Sequence, residues 1–357
     1  MSVNILDSFT ELRKLDSKNM LGSLQSLSKQ MAQIKEQTAK LKLKPLKGIK
    51  NIVVAGTGGS ALGAHIIKSV FYNELAVPLE IVNNYHLPHY VNKNSLVIVS
   101  SYSGGTEEAV SALEEALWKR ARVAVVASGG ALADYVVENK LSAIIFTTAN
   151  NPCGSPRMGL GYSIFGQIIL LSKFGLLDLS FADLADMIKA VDKFDFEFGA
   201  GKLAKDNLAK QLAKKIGESS VWLVGAEHLA GNAHVAANQM NENSKRFAGY
   251  FLIPELNHHL MEGMMNPKSN SKNLLFIFIE SPHYDQRVGA RFGITKQVLE
   301  KNNIHHLVFQ TTAKDKPAEM CEALVFFAYV SYYNAILNGI DPVAIPFVDF
   351  FKEQLKK

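Results

Sequence analysis

Two sets of short apolar, β-branched runs, spaced alike, constrain the fold of this chain more than any other feature. In the first set, residues 51–55 (NIVVA), 79–83 (LEIVN), 96–100 (LVIVS), 123–127 (VAVVA) and 143–147 (AIIFT) alternate with helix-length segments. In the second, residues 221–225 (VWLVG), 249–253 (GYFLI), 274–280 (LLFIFIE) and 306–310 (HLVFQ) do the same. Unbroken apolar runs separated by helix-length stretches are the mark of parallel strands covered on both faces. The first two runs start 28 residues apart in each half, at 51 and 79 and at 221 and 249. The third runs start 45 and 53 residues after the first of their half. This reads as a duplicated βαβ-rich domain with a domain-sized period, not a solenoid.

At 357 residues the chain has room for two α/β domains, and 48% hydrophobic residues supply their cores. The first 45 or so residues read as helix, with Leu6, Phe9, Leu12, Leu15, Met20, Leu24, Leu27, Met31 and Ile34 at spacings of three to five. A linker with Pro45 and Gly48 follows. Residues 160–177 read as one long apolar helix, and residues 181–218 as a helical connection between the halves. The expected division is a helical segment 1–47, a first domain 48–180, a second domain 181–345 and a helical tail 346–357.

The remaining composition narrows the function classes. Two cysteines, Cys153 and Cys321, are too few for a disulfide framework and suit a reducing compartment, so a cytoplasmic protein is expected. The N-terminus has no apolar core of a signal peptide, and no uncharged apolar run reaches about 18 residues, which argues against a membrane span. A balance of 38 basic to 33 acidic residues, without a Lys/Arg block, does not point to nucleic acid.

In parallel sheets ligands bind beyond the carboxyl ends of the strands, so the loops there are the ones to inspect. After the first run comes Gly56-Thr57-Gly58-Gly59-Ser60-Ala61-Leu62-Gly63. Gly56, Gly58 and Ala61 fit a dinucleotide fingerprint, which also wants an acidic residue ending the second strand. That strand ends in Asn83-Asn84, with Glu80 near its start, so the dinucleotide reading loses ground. After the third run comes Ser101-Tyr102-Ser103-Gly104-Gly105-Thr106-Glu107-Glu108. Hydroxyls and backbone donors at a helix start suit a phosphate monoester. A helix cap accounts for one of Ser103 and Thr106 but not for three hydroxyls. The pair Gly129-Gly130 after the fourth run reads as a turn.

These loops resemble the sugar isomerase (SIS) domain, and two such domains in one chain resemble the phosphoglucose isomerase superfamily. More narrowly, NPCGSPRMGLGY, MNENSK and PELNHH are similar to motifs of the bifunctional phosphoglucose/phosphomannose isomerases. The resemblance covers residues 48–357. It implies two tandem SIS-type α/β domains, each a mainly parallel sheet flanked by helices. It also implies an aldose–ketose isomerase of glucose 6-phosphate, with mannose 6-phosphate, acting through a cis-enediol without metal or other cofactor. A homodimer is the implied assembly.

The implied roles fall on particular residues. Gly58, Gly59, Ser60, Ser101, Ser103 and Thr106 hold the phosphate. Glu242 is the base, a carboxylate able to shuttle a proton if burial raises its pKa. A lone helical glutamate more often pairs at the surface, here with Lys245 or Arg246; the motif reverses that preference. His258 opens the sugar ring, supplied across a dimer interface in related enzymes. Arg157 steadies the enediolate, against the plainer reading of a surface arginine after a proline turn. Lys352 on the C-terminal helix reaches the same site. A His258–His259 metal site is disfavoured, because adjacent side chains point apart and no H-E-x-x-H spacing is present. Cys153 reads as a packed thiol, and His305-His306, just before a strand, as structural. Gly105 stands where the family loop SYSGNT has asparagine, Thr57 where methionine is frequent, and His259-Leu260 where Asn-Glu is common. The rival classes are a non-catalytic phosphosugar-binding SIS protein, an amino-sugar-phosphate isomerase and a dinucleotide oxidoreductase.

Overall fold

The computed structural model describes residues 5–355. Among the described residues nine strands form two fully parallel sheets. The first holds β1 (Asn51–Ala55), β2 (Leu79–Val82), β3 (Ser95–Ser101), β4 (Arg122–Ala127) and β5 (Ser142–Ile145), in the order β2-β1-β3-β4-β5. The second holds β6 (Ser220–Ala226), β7 (Ala248–Ile253), β8 (Leu274–Glu280) and β9 (His305–Gln310), in the order β7-β6-β8-β9. Four strands of one sheet thus repeat the order of the other. In register, Ile52 pairs with Leu79 and Leu96, and Val221 with Ala248 and Leu275. All nine strands lie within two residues of the runs read from sequence. His305 and His306 belong to β9 itself.

The reason the runs are continuous is visible in the packing. Ile52, Val54, Leu96, Ile98 and Val126 join a core that extends across both halves. Their neighbours Val53, Ala55, Val97, Val99 and Val125 face the opposite way, against Ala109, Ala112, Leu113 and Ala116. Both faces of β1 and β3 are dry, so alternation of polar and apolar residues would bury polar groups at a cost. The helix Lys316–Leu337 is, among the described residues, the one helix apolar and long enough to cross a membrane, and 94% of its apolar window is buried inside the protein.

Two sequence-read helices are shorter than expected. The helix from Leu160 ends at Lys173, not at 177. Gly175 has φ +74°, and the Leu176 and Gly175 amides donate to the Leu171 and Ser172 carbonyls, a Schellman stop that a glycine allows at little cost. Residues 181–218 form two helices, Phe181–Phe198 and Leu208–Lys215. Asn207 separates them: its side-chain amide donates to the Phe198 and Gly199 carbonyls, and its Oδ1 caps the second helix by accepting from Lys210 N.

The N-terminal segment folds as the helices Phe9–Leu15, Met20–Leu24 and Leu27–Gln37. Fully buried Gln30 accepts from the Gly161 amide at 3.1 Å and donates to the carbonyls of Asn150 and Met158. It therefore clamps both ends of the loop that carries Arg157.

Two helices then bring the halves together. Gly59–Val70 follows β1, and Ala230–Ser244 begins close after β6. Gly231, at the start of the second, donates to Ser69 near the end of the first. Gln239 and Asn243, toward its end, reach the Arg157 turn that packs beside Gly59. The helices run in opposite senses, so each half's helix delivers its far end to the strand ends of the other half.

Candidate active site

The serine loop turns out of β3 over residues 102–106. Ser101 is buried, accepts from the Gly104 amide at 3.1 Å and pairs with the Thr106 hydroxyl at 2.9 Å. Ser103 is exposed. Thr106 sits at the N-cap of the helix Glu107–Trp118 but makes no capping hydrogen bond, because its hydroxyl is turned to Ser101. The first amides of that helix are therefore free of a side-chain cap, and Glu107 and Glu108 lie in its first turn beside its partial positive charge. Ser60, the second residue of the Gly59–Val70 helix, accepts from the Tyr102 amide at 2.7 Å and locks the two loops together.

The pair Gly129-Gly130, read from sequence as a turn, buttresses this loop. A Cβ on Gly104 would lie 1.7 Å from the Gly129 carbonyl oxygen, and Gly104 has φ +71°, so only glycine fits there. Ser128 donates its hydroxyl and its amide to the Tyr102 carbonyl. Two glycines facing each other across adjacent strand ends were the available signal for this contact.

Arg157 sits in the short turn Pro156–Met158 and is 2% exposed, so it is not a surface arginine. A Cβ on Gly59 would be 2.7 Å from its amide nitrogen, which places Arg157 directly against the start of the Gly59–Val70 helix. Its Nε donates to Asn243 Oδ1 at 2.6 Å, and its Nη2 to the Pro342 and Val343 carbonyls at 3.0 Å each. Nη1 lies 3.4 Å from Glu242 Oε2. Three hydrogen bonds fix the guanidinium plane, and the remaining nitrogen faces the carboxylate.

Glu242 is about one-third exposed, open enough for a ligand to reach. Burial pushes its pKa up, opposed by Arg157, then Lys352 and Lys245, and the net direction is upward. The surface pairing with Lys245 or Arg246 does not form. Lys245 Nζ instead donates to the carbonyls of Glu242, Asn243 and Asp341, and Arg246 turns to Asn338. Burial pushes the Lys245 ammonium down to about 8, with Arg157 adding to the shift.

Lys352 is exposed on the helix Pro346–Leu355, within electrostatic range of Glu242. His258 is not brought to this group. It is exposed on the short helix Leu256–His259 after the edge strand β7, and its ring makes no hydrogen bond or ion pair among the described residues. Cys153 is buried, with its thiol on Asn151 Oδ1. Among the described residues no group of three or more His, Cys, Asp or Glu has the geometry to hold a metal ion. Sequence reading passed over Asn243 and gave Lys245 only a surface pairing; in the structure they hold the guanidinium and the end of the Ala230–Ser244 helix.

Residues 205–355 match the family model described as the bacterial phospho-glucose isomerase C-terminal SIS domain. A bifunctional phosphoglucose/phosphomannose isomerase of Aquifex aeolicus is 30% identical over 323 residues, covering 88% of this chain and 93% of that protein. One from Caldicellulosiruptor bescii is 28% identical, covering 86% and 90%. Among solved structures, a hypothetical protein of Thermus thermophilus superposes with TM-score 0.73 at 15% identity, covering 97% of this chain and 93% of that one. The C-terminal domain of a glucosamine-fructose-6-phosphate aminotransferase of Francisella tularensis gives 0.67 at 15%, covering 95% and 98%. The structural likenesses establish the tandem-SIS fold. With the sequence identity across nearly the whole length of the Aquifex relative, this chain belongs to the bifunctional phosphoglucose/phosphomannose isomerase family.

Proposed function

We propose that the chain is an aldose–ketose isomerase interconverting glucose 6-phosphate, and mannose 6-phosphate, with fructose 6-phosphate. The observation that carries this reading is the placement of Glu242 Oε2 3.4 Å from an immobilised guanidinium that itself abuts Gly59. A carboxylate from the second half and a hydroxyl-rich anion loop from the first thus share one neighbourhood.

The chemistry follows from the parts. Ser60, Ser101, Ser103 and Thr106, with the amides of Gly58 and Gly59, hold the phosphate. Glu242 takes the proton from C2 of the open-chain aldose and returns it to C1, through a cis-enediol whose developing negative charge faces Arg157. The hydrogen lost at C2 is regained at C1 while the hydroxyl proton of C2 passes to the oxygen of C1, so the step balances and needs no external oxidant. Glucose and mannose 6-phosphates differ only at C2 and give the same enediol, which is how one base serves both.

His258 and Lys352 open the ring in this scheme. His258 has no hydrogen bond or ion pair among the described residues, which supports a homodimer in which it enters the neighbouring subunit's site. Two buried, unpaired cysteines support a cytoplasmic setting.

The test is conversion of fructose 6-phosphate to glucose 6-phosphate in a coupled dehydrogenase assay, with mannose 6-phosphate run in parallel. Turnover with both supports the reading. Phosphosugar binding without turnover would replace it with a phosphosugar sensor, and nucleotide binding in its place with the oxidoreductase. Within the same assay, Ser103→Ala is expected to raise KM for fructose 6-phosphate about tenfold, the value of one charge-assisted hydrogen bond, with kcat little changed. An unchanged KM would leave Ser103 with no part in phosphate binding.

A further inference from the structure

The second sheet repeats the strand order of the first, so its own switch point between β6 and β8 is the counterpart of the serine-loop position. There the strand ends open into a cleft of about 870 Å³, closed on its far side by the last turns of the Gly59–Val70 helix. It lies at the opposite end of the paired helices from Glu242.

The chemistry of this cleft differs from that of the phosphate loop. The hydroxyls behind it are consumed: Ser281 and Thr311, just past β8 and β9, donate to Glu319 at 2.6 and 2.5 Å, and His228 Nε2 lies 2.7 Å from the same carboxylate. Glu319 is fully buried. Burial pushes its pKa up, but the bonds from His228, Ser281, Thr311 and His283 prevail and hold it at about 2. At these strand ends the hydroxyl donors are thus taken by a buried carboxylate and are not free for a phosphate.

The wall and rim point to a different ligand. His65, His234 and Tyr250 form a ladder of rings, with centroids 4.2 and 4.6 Å apart. Burial lowers the pKa of both histidines, His65 to about 4, so the ladder is uncharged at neutral pH. Tyr250 remains 37% exposed at its end. The lining also holds the carboxylates of Glu227 and Asp285, the latter paired with Arg287, and the ammonium groups of Lys68 and Lys316, which have no carboxylate partner among the described residues. Interspersed donors and acceptors with little net charge, beside an aromatic face, are the means by which a protein holds a ring that carries hydroxyls and no formal charge.

We propose that this cleft is a second, non-catalytic binding site for an uncharged sugar ring, stacked on Tyr250 with its hydroxyls on Glu227, Asp285 and Lys316. The site makes no use of the phosphate loop and stands whether or not the isomerase reading does.

The test is saturation-transfer NMR of D-glucose on the full chain, with fructose 6-phosphate in excess to fill the candidate active site. Saturable binding with Kd on the order of 1–10 mM is expected, undiminished by the phosphosugar. Tyr250→Ala should weaken it about tenfold. Asp285→Asn, which retains a capping side chain for the following helix, should weaken it severalfold. Thermal midpoints of both variants separate loss of binding from loss of fold. Absence of saturation up to about 100 mM, displacement by fructose 6-phosphate, or indifference to both substitutions in folded protein would each overturn the proposal.

Discussion

Glu242→Gln should bind phosphosugar as the parent does while its turnover of fructose 6-phosphate falls about a thousandfold, inside the ~10²–10⁴ range for loss of a general base. The amide keeps the shape and the contact with Arg157 Nη1 but has no lone pair basic enough to take a carbon-bound proton. The pH profile gives an independent reading. The base acts as carboxylate, so activity is lost as pH falls through its pKa. Burial raises that pKa above the ordinary carboxylate value of 4.5, against the pull of Arg157, Lys352 and Lys245. The acid limb of kcat/KM is therefore expected above the usual carboxylate range and should be missing from any residual Glu242→Gln activity. Lys352→Ala removes one opposing cation and should move the limb further up. The effect on stability runs the opposite way with pH. A carboxyl that binds its proton more tightly when folded contributes most at acid pH, and that contribution is lost as pH rises through the folded pKa. Glu242→Gln should then unfold no earlier than the parent at pH 7. Undiminished turnover, or an acid limb that stays in place in the glutamine variant, would remove Glu242 as the base.

How much of this was legible in the sequence depended on whether a contact leaves a mark on residue type. The strands did, because a parallel strand dry on both faces admits little besides Val, Ile, Leu and Ala, as residues 96–99 show. The strand-to-helix turn at the serine loop did, because Gly104-Gly105 and Thr106 mark where β3 gives way to the helix Glu107–Trp118. The stop at Lys173 was legible in Gly175, two residues on, but the apolar residues Leu176 and Leu177 concealed it. Arg157 was found through its motif, yet what holds it was not. Asn243 stands 86 residues away, and the other two acceptors are backbone carbonyls of Pro342 and Val343, which any residue supplies. The Glu242–Arg157 pair was equally hidden, because local spacing favours Lys245 and only the packing of the paired helices turns the carboxylate elsewhere. Gln30 shows the same limit from the other side. A glutamine in an amphipathic helix reads as a solvated position, whereas here it is fully buried and bonded to three backbone groups of the Arg157 region.

Arg157→Lys is the second substitution with a large expected effect. A lysine keeps the charge but has one ammonium where the guanidinium serves Asn243, two carbonyls and Glu242 at once. Whichever acceptors the ammonium takes, the rest are left unpaired in a buried site, and the cation is no longer fixed where charge develops on the enediolate. Turnover should fall about 10²–10³-fold, the usual loss for one preorganised oxyanion donor, with KM changed less because the phosphate loop is intact. Orphaned acceptors also lower stability, so the thermal midpoint should drop in the lysine variant. Asn243→Ala separates the two effects. It removes the Nε acceptor, the bond to Ser331 and the contact with Met158 Sδ, leaving both carbonyls and Arg157 itself in place. If Asn243 is a positioning residue, its loss lowers kcat about tenfold at nearly constant KM, and the combined Arg157→Lys/Asn243→Ala variant is hardly slower than Arg157→Lys alone, because the two substitutions damage one arrangement. Should the double variant instead multiply the two losses, Asn243 acts on the reaction by a route that does not pass through the guanidinium. Should Arg157→Lys turn over at the parent rate, charge near Glu242 suffices and the fixed plane of the guanidinium has no catalytic part.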